Sequence, residues 1–101
     1  MGKVQIDIPQ DKISEFCKIH HIRKLSLFGS VLRGDFSDNS DVDVLIEFEA
    51  GHGTGYFVLA RMERELSKII GRKVDLRTPY ELSRYFRDDV LSNAEIQYAE
   101  G

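Results

Sequence analysis

A polar loop framed by two apolar runs constrains this 101-residue chain more than any other feature. Leu25-Ser26-Leu27-Phe28 runs into Gly29-Ser30, ten residues follow, and the chain enters a second apolar run through Asp41-Val42-Asp43-Val44-Leu45-Ile46. The alternation from Asp41 onward has the period of two of a β-strand. It sends Asp41 and Asp43 to one face and Val42, Val44 and Ile46 to the other. Two carboxylates on one face at the start of a strand form a hard oxygen site. Such a site suits a magnesium ion, which keeps several waters and binds substrate phosphates instead of demanding a full protein cage. Just upstream, Gly29 lets the backbone approach a bulky ligand, and N–H groups at a strand-to-turn junction, with the Ser30 hydroxyl, can hold phosphate oxygens. Residues 31–33 are long enough for one helical turn, and Arg33-Gly34-Asp35 adds a cation, a flexible point and a third acid.

The spacing of Gly29-Ser30, ten residues and Asp41-x-Asp43 resembles the defining motif of the DNA polymerase beta nucleotidyltransferase superfamily. Within it, Gly29-Ser30-Val31-Leu32-Arg33-Gly34-Asp35, Ser37, Ser40 and the run from Asp41 to Ile46 resemble the minimal nucleotidyltransferases, the MNT antitoxin group. The likeness continues at Gly71-Arg72-Lys73-Val74-Asp75-Leu76. The resemblance implies a polymerase beta-like fold and a catalytic carboxylate set of Asp41, Asp43 and Asp75 holding one or two magnesium ions. It also implies that Gly29, Ser30 and Arg33 surround the phosphates of ATP. The activity it implies is transfer of AMP from ATP to a tyrosine hydroxyl of a HEPN-domain ribonuclease toxin, which silences that toxin. Two alternatives stay open: an antitoxin that acts only by complex formation with the toxin, and a small-molecule nucleotidyltransferase, whose extra substrate domain has no counterpart here.

Composition agrees with one small α/β domain spanning residues 1–101. Hydrophobic residues make up 42% of the chain and charged residues 31%, as in a soluble globular protein. No apolar run approaches membrane-spanning length and residues 1–7 lack the apolar segment of a signal peptide, so the expectation is cytoplasmic. A single cysteine, Cys17, fits a reducing compartment and a buried helix position. A net charge of -3 argues against direct nucleic-acid binding, which needs a basic face. Protein and small-molecule partners, including a hetero-oligomer with a toxin, fit better. Arg61, Arg64, Lys68, Arg72 and Lys73 read as the solvated face of a helix.

In chain order, residues 4–8 form a short extended arm, and Pro9 opens a helix that runs to about His20 with Ile13, Phe16 and Cys17 on one side. The adjacent pair His20-His21 lacks a cysteine or acid cluster nearby in sequence, so it reads as a cap or surface feature and not as a metal site. Strands are expected at residues 24–28, 43–48 and 73–78. The glycine-rich stretch 49–55 has neither a P-loop lysine nor dinucleotide-binding spacing, so it reads as a mobile connector, with a lid touching nucleotide or partner as the alternative. Residues 56–70 are the clearest helix, with Leu59, Met62, Leu66, Ile69 and Ile70 on one stripe and Gly71 at the expected left-handed cap. If strand 73–78 neighbours strand 43–48, Asp75 joins Asp41 and Asp43. A helical stretch opens at Thr78-Pro79-Tyr80-Glu81 and puts Leu82, Tyr85, Phe86 and Val90 on one side. Residues 94–98 alternate as a short terminal strand would, and they equally continue a helix; the strand is the expectation. The fold class expected is therefore α/β, or α+β, with helices mainly on one side of a small mixed sheet.

Overall fold

The computed structural model describes residues 6–32 and 40–100. Helix α1 (Gln10–Ile19) follows Pro9, strand β1 (Ile22–Phe28) runs into a 3-10 turn at Gly29–Leu32, and strand β2 (Val42–Phe48) returns beside β1. Helix α2 (Tyr56–Ile70) leads to strand β3 (Val74–Arg77), a second 3-10 turn at Pro79–Glu81, helix α3 (Arg87–Asn93) and strand β4 (Glu95–Ala99). The expected extended arm begins among residues 1–5 and so falls partly outside the described residues. Among those described, no helix is long and apolar enough to cross a membrane.

The four strands form one sheet in the order β3-β2-β1-β4. β1 is antiparallel to both β2 and β4, whereas β2 and β3 are parallel, because α2 carries the chain back to the starting end of β2 before β3 begins. Period-two patterning then sorts the side chains. Leu25, Leu27, Val42, Val44, Ile46, Val74 and Leu76 are buried in one core with Ile13, Phe16 and Cys17 of α1 and with Met62 and Leu66 of α2. Both long helices cover that one face, and burial pushes the Cys17 thiol up to about 12, which keeps it protonated and unreactive at neutral pH.

Strand β3 is an edge strand, and α2 satisfies its outward donors. The Val74 N–H donates to Ser67 Oγ at 3.0 Å, and the Leu76 N–H donates to Glu63 Oε2 at 2.8 Å. These bonds fix the height of β3 against the helix, close an edge that would otherwise recruit another strand, and so hold Asp75 in position. The left-handed Gly71 (φ 81°) ends α2 by returning its N–H to the Ser67 carbonyl.

Two expectations need correction. The stretch after Thr78 is not one helix. Thr78 and Glu81 cap a 3-10 turn, Leu82 is extended, and α3 starts only at Arg87. The Arg87 guanidinium, reaching back to the carbonyls of Pro79 (2.8 Å) and Leu82 (3.2 Å), satisfies the acceptors that the break exposes. Arg72 and Lys73, in turn, are not on the helix face with Arg61, Arg64 and Lys68, because Gly71 has already ended the helix. The terminal segment is the strand β4, paired with β1.

Candidate functional site

The polar face of the sheet carries the acids, and strand register sets their spacing. β2 and β3 align in parallel with Asp43 opposite Asp75, flanked by the pairs Val42–Val74 and Val44–Leu76. Neighbouring strands lie about 4.8 Å apart, and directly opposed residues project from the same face, so the carboxylates of Asp43 and Asp75 stand side by side. The Val42 N–H donates to the Lys73 carbonyl at 2.8 Å and starts this ladder. Asp41 sits immediately before it. All three acids are partly exposed, neither sealed in the core nor free in solvent.

From the other side, β1 brings Gly29. Phe28 pairs with Asp43 across the hairpin, which sets the next residue against the Asp43 carboxylate. Gly29 has φ 73°, a conformation that side chains resist, and a Cβ built there would collide with Asp43 Oδ2 and lie 3.1 Å from its Cγ. Glycine is thus required at this position twice, once for the backbone turn and once for the space beside the carboxylate. Ser30 follows in the same 3-10 turn. Arg33, and the return loop through Asp35, Ser37, Asp38 and Asn39, lie outside the described residues.

Two cations that sequence reasoning did not assign to the site flank the acids. Arg77, two residues beyond Asp75 on the same face of β3, donates from a guanidinium nitrogen to Asp75 Oδ2 at 3.2 Å. That hydrogen bond and the charge of Asp75 raise the Arg77 pKa further. Lys73 Nζ lies 4.0 Å from Asp41 Oδ2. Both contacts are solvent-exposed and individually weak. Their effect is to balance a cluster of like charges. The available signal was the period of two, which puts residues 73, 75 and 77 on one face of a strand.

The donor set is oxygen only and partly open to solvent, with the Gly29 backbone close against the Asp43 carboxylate. Carboxylates so arranged can hold a hard divalent cation and leave room for substrate oxygens. A cavity of about 800 Å³ lies elsewhere. It is bounded by Phe48, His52, Tyr56, Leu59, Tyr80 and Arg87, and none of Gly29, Asp41, Asp43 or Asp75 is among its described lining residues.

This hairpin, with glycine against the first strand carboxylate and a parallel third strand supplying another, is the framework of a minimal nucleotidyltransferase. A solved structure provisionally described as a minimal nucleotidyltransferase superposes with a TM-score of 0.69 at 30% identity, over 84% of this chain and 85% of the other. The chain belongs to the nucleotidyltransferase domain family, whose model matches residues 11–97. A protein of Methanocaldococcus jannaschii that carries the provisional name protein adenylyltransferase is 33% identical over 75 residues, or 74% of this chain and 78% of its own. A chain from the complex of MNT antitoxin with the tri-AMPylated HEPN toxin of Shewanella oneidensis shares the fold. Its TM-score is 0.64 at 17% identity, covering 90% of this chain and 70% of that one.

Proposed function

We propose that this chain is a magnesium-dependent protein adenylyltransferase that silences a HEPN-domain toxin by transferring AMP from ATP to a tyrosine hydroxyl, with residues 1–101 acting as one catalytic domain in the cytoplasm. The observation that carries the reading is the parallel register of Asp43 and Asp75 with Gly29 pressed against Asp43. Asp41, Asp43 and Asp75 fit magnesium as ligands because all are partly exposed oxygen donors on one side of the sheet. Bound at these oxygens, the metal supplies positive charge to the triphosphate and acidifies the acceptor hydroxyl.

The chain's own residues do the rest. Gly29 and Ser30 offer backbone N–H groups to the β- and γ-phosphates, and the Cβ-free approach at Gly29 lets the triphosphate lie against Asp43. Arg33 adds positive charge to the same phosphates. The acceptor oxygen bonds to the α-phosphorus, the bond between that phosphorus and the bridging oxygen breaks, and pyrophosphate leaves. Asp75 takes the hydroxyl proton, and Arg77 beside it keeps the carboxylate oriented until the acceptor arrives.

The comparisons support this reading through a relative named as a protein adenylyltransferase and a structural neighbour complexed with an AMPylated HEPN toxin. The test is intact-mass measurement of a HEPN toxin incubated with this chain, magnesium and ATP. Gain of whole AMP units with wild type, and none with Asp41→Asn/Asp43→Asn, is expected; equal gain with the double variant refutes the assignment.

A second reading, neutralisation by binding alone, draws on a different observation. Tyr56, Phe57, Tyr80, Tyr85 and Phe86 are all exposed, and a small domain that shows so many large apolar side chains is suited to a protein partner. An unmodified toxin whose ribonuclease activity is blocked stoichiometrically without ATP would select it.

A further inference from the structure

At the end of the hairpin remote from the acids, backbone bonds gather a second set of donors. The Glu49 N–H donates to the His21 carbonyl at 2.9 Å, extending the β1–β2 ladder by one step past Ile22 and Phe48. Glu49-Ala50-Gly51-His52 then folds back as a tight turn, with the His52 N–H donating to the Glu49 carbonyl at 2.9 Å and Gly51 taking the positive φ of 80° at the third position. This turn lays the His52 ring over that of His21, with centroids 4.1 Å apart and planes 13° from parallel. His21 itself holds φ 57°, a left-handed conformation uncommon outside glycine. His21 Nδ1 is 3.8 Å from Glu49 Oε1, and one ligand atom from each of His21, Glu49 and His52 lies within 4.8 Å of the others.

We propose that His21, Glu49 and His52 form a binding site for a divalent transition-metal ion, with zinc as the occupant its donors suit best. Two imidazole nitrogens and a carboxylate are a zinc donor set, whereas magnesium favours oxygens alone. Ligand atoms around a zinc at about 2.0–2.2 Å lie about 3.3–3.6 Å from one another, so the donors have to close in and the stacked rings to turn, a shift that the exposed side chains of His21 and His52 can make.

The site is separate from the magnesium carboxylates. Ile22 and Phe28 pair with opposite ends of β2, so the two sites stand about 20 Å apart along the strands. Its effect is to clip the glycine-rich connector before α2 to the α1–β1 turn and to fix the His52 wall of the cavity.

The experiment is zinc uptake by the tag-free, chelator-stripped chain, measured in competition with a chromophoric chelator, together with hydrogen exchange over residues 50–56. Uptake of one equivalent is expected, with slower exchange in the connector. His21→Asn, which tolerates the left-handed backbone, and His52→Ala are each expected to weaken binding on the order of tenfold or more. His20→Ala and Asp41→Asn/Asp43→Asn are expected to bind as wild type. No uptake, uptake unchanged in His21→Asn and His52→Ala, or uptake lost in Asp41→Asn/Asp43→Asn instead would each overturn the proposal.

Discussion

One hairpin, β1–β2, carries oxygen donors at one end and imidazoles at the other, and the two ends are assembled by different means. At the Gly29 end, ladder register does the work: Phe28 opposes Asp43, and Asp43 opposes Asp75. At the His21 end, a left-handed residue and a tight turn bring together groups 28 and 31 positions apart in sequence, outside any strand. Register gives rigid placement that a substitution damages locally. Turns give an adaptable arrangement that a bound ion can complete.

The largest effect expected from this difference is at the carboxylates. Asp43→Asn removes a charge without changing shape and should reduce AMP transfer on the order of 10³-fold while leaving the melting temperature unchanged or higher, since it relieves repulsion with Asp75. A variant retaining more than a tenth of the activity would break the claim that the ladder builds the catalytic centre. Gly29→Ala comes next. Its Cβ must displace the Asp43 carboxylate, for a loss on the order of 10²-fold in transfer, and the left-handed backbone adds about 1–2 kcal/mol of destabilisation, read from urea unfolding. Normal activity there would show that the close approach is incidental.

A smaller effect sharpens the role of α2. Glu63→Ala leaves the Leu76 N–H without its partner and should cost about 1–3 kcal/mol, with a fall in transfer because Asp75 loses its fixed height. Smallest is the thiol. Buried Cys17 should resist iodoacetamide at pH 8 in the folded chain and react on unfolding. Because its folded pKa of about 12 exceeds the unfolded value near 9, its contribution to stability is complete below pH 9 and is lost as pH rises from there towards 12. Rapid labelling of the folded chain would contradict its burial on the inner face of α1.

The same contrast explains what could be read in the residues beforehand. Asp41-Val42-Asp43-Val44 declares its faces through period two, and the α2 stripe ending at Gly71 declares a helix, so the mixed sheet with both long helices on one face and the pairing of Asp43 with Asp75 were legible once those strands were taken as neighbours. Local spacing could not reveal that His21 meets Glu49 and His52, because the contact depends on the β1–β2 register and on the Gly51 turn together. Nor could it reveal Glu63, a polar residue on a helix whose apolar stripe drew attention away, as the partner of the β3 edge. The break at Leu82 was hidden because Leu82, Tyr85, Phe86 and Val90 keep helical spacing, while the Arg87 guanidinium that supports the break acts through carbonyls that spacing does not register.

Asp75 is the residue that reaches the site only through the parallel β2–β3 register, and single-turnover AMP transfer to a HEPN toxin by Asp75→Asn tests that register most directly. A fall on the order of 10²–10³-fold with the fold intact is the predicted result. Transfer within twofold of wild type would contradict it, leaving Asp75 a surface acid paired with Arg77 and the catalytic centre to be sought in Asp41 and Asp43 alone.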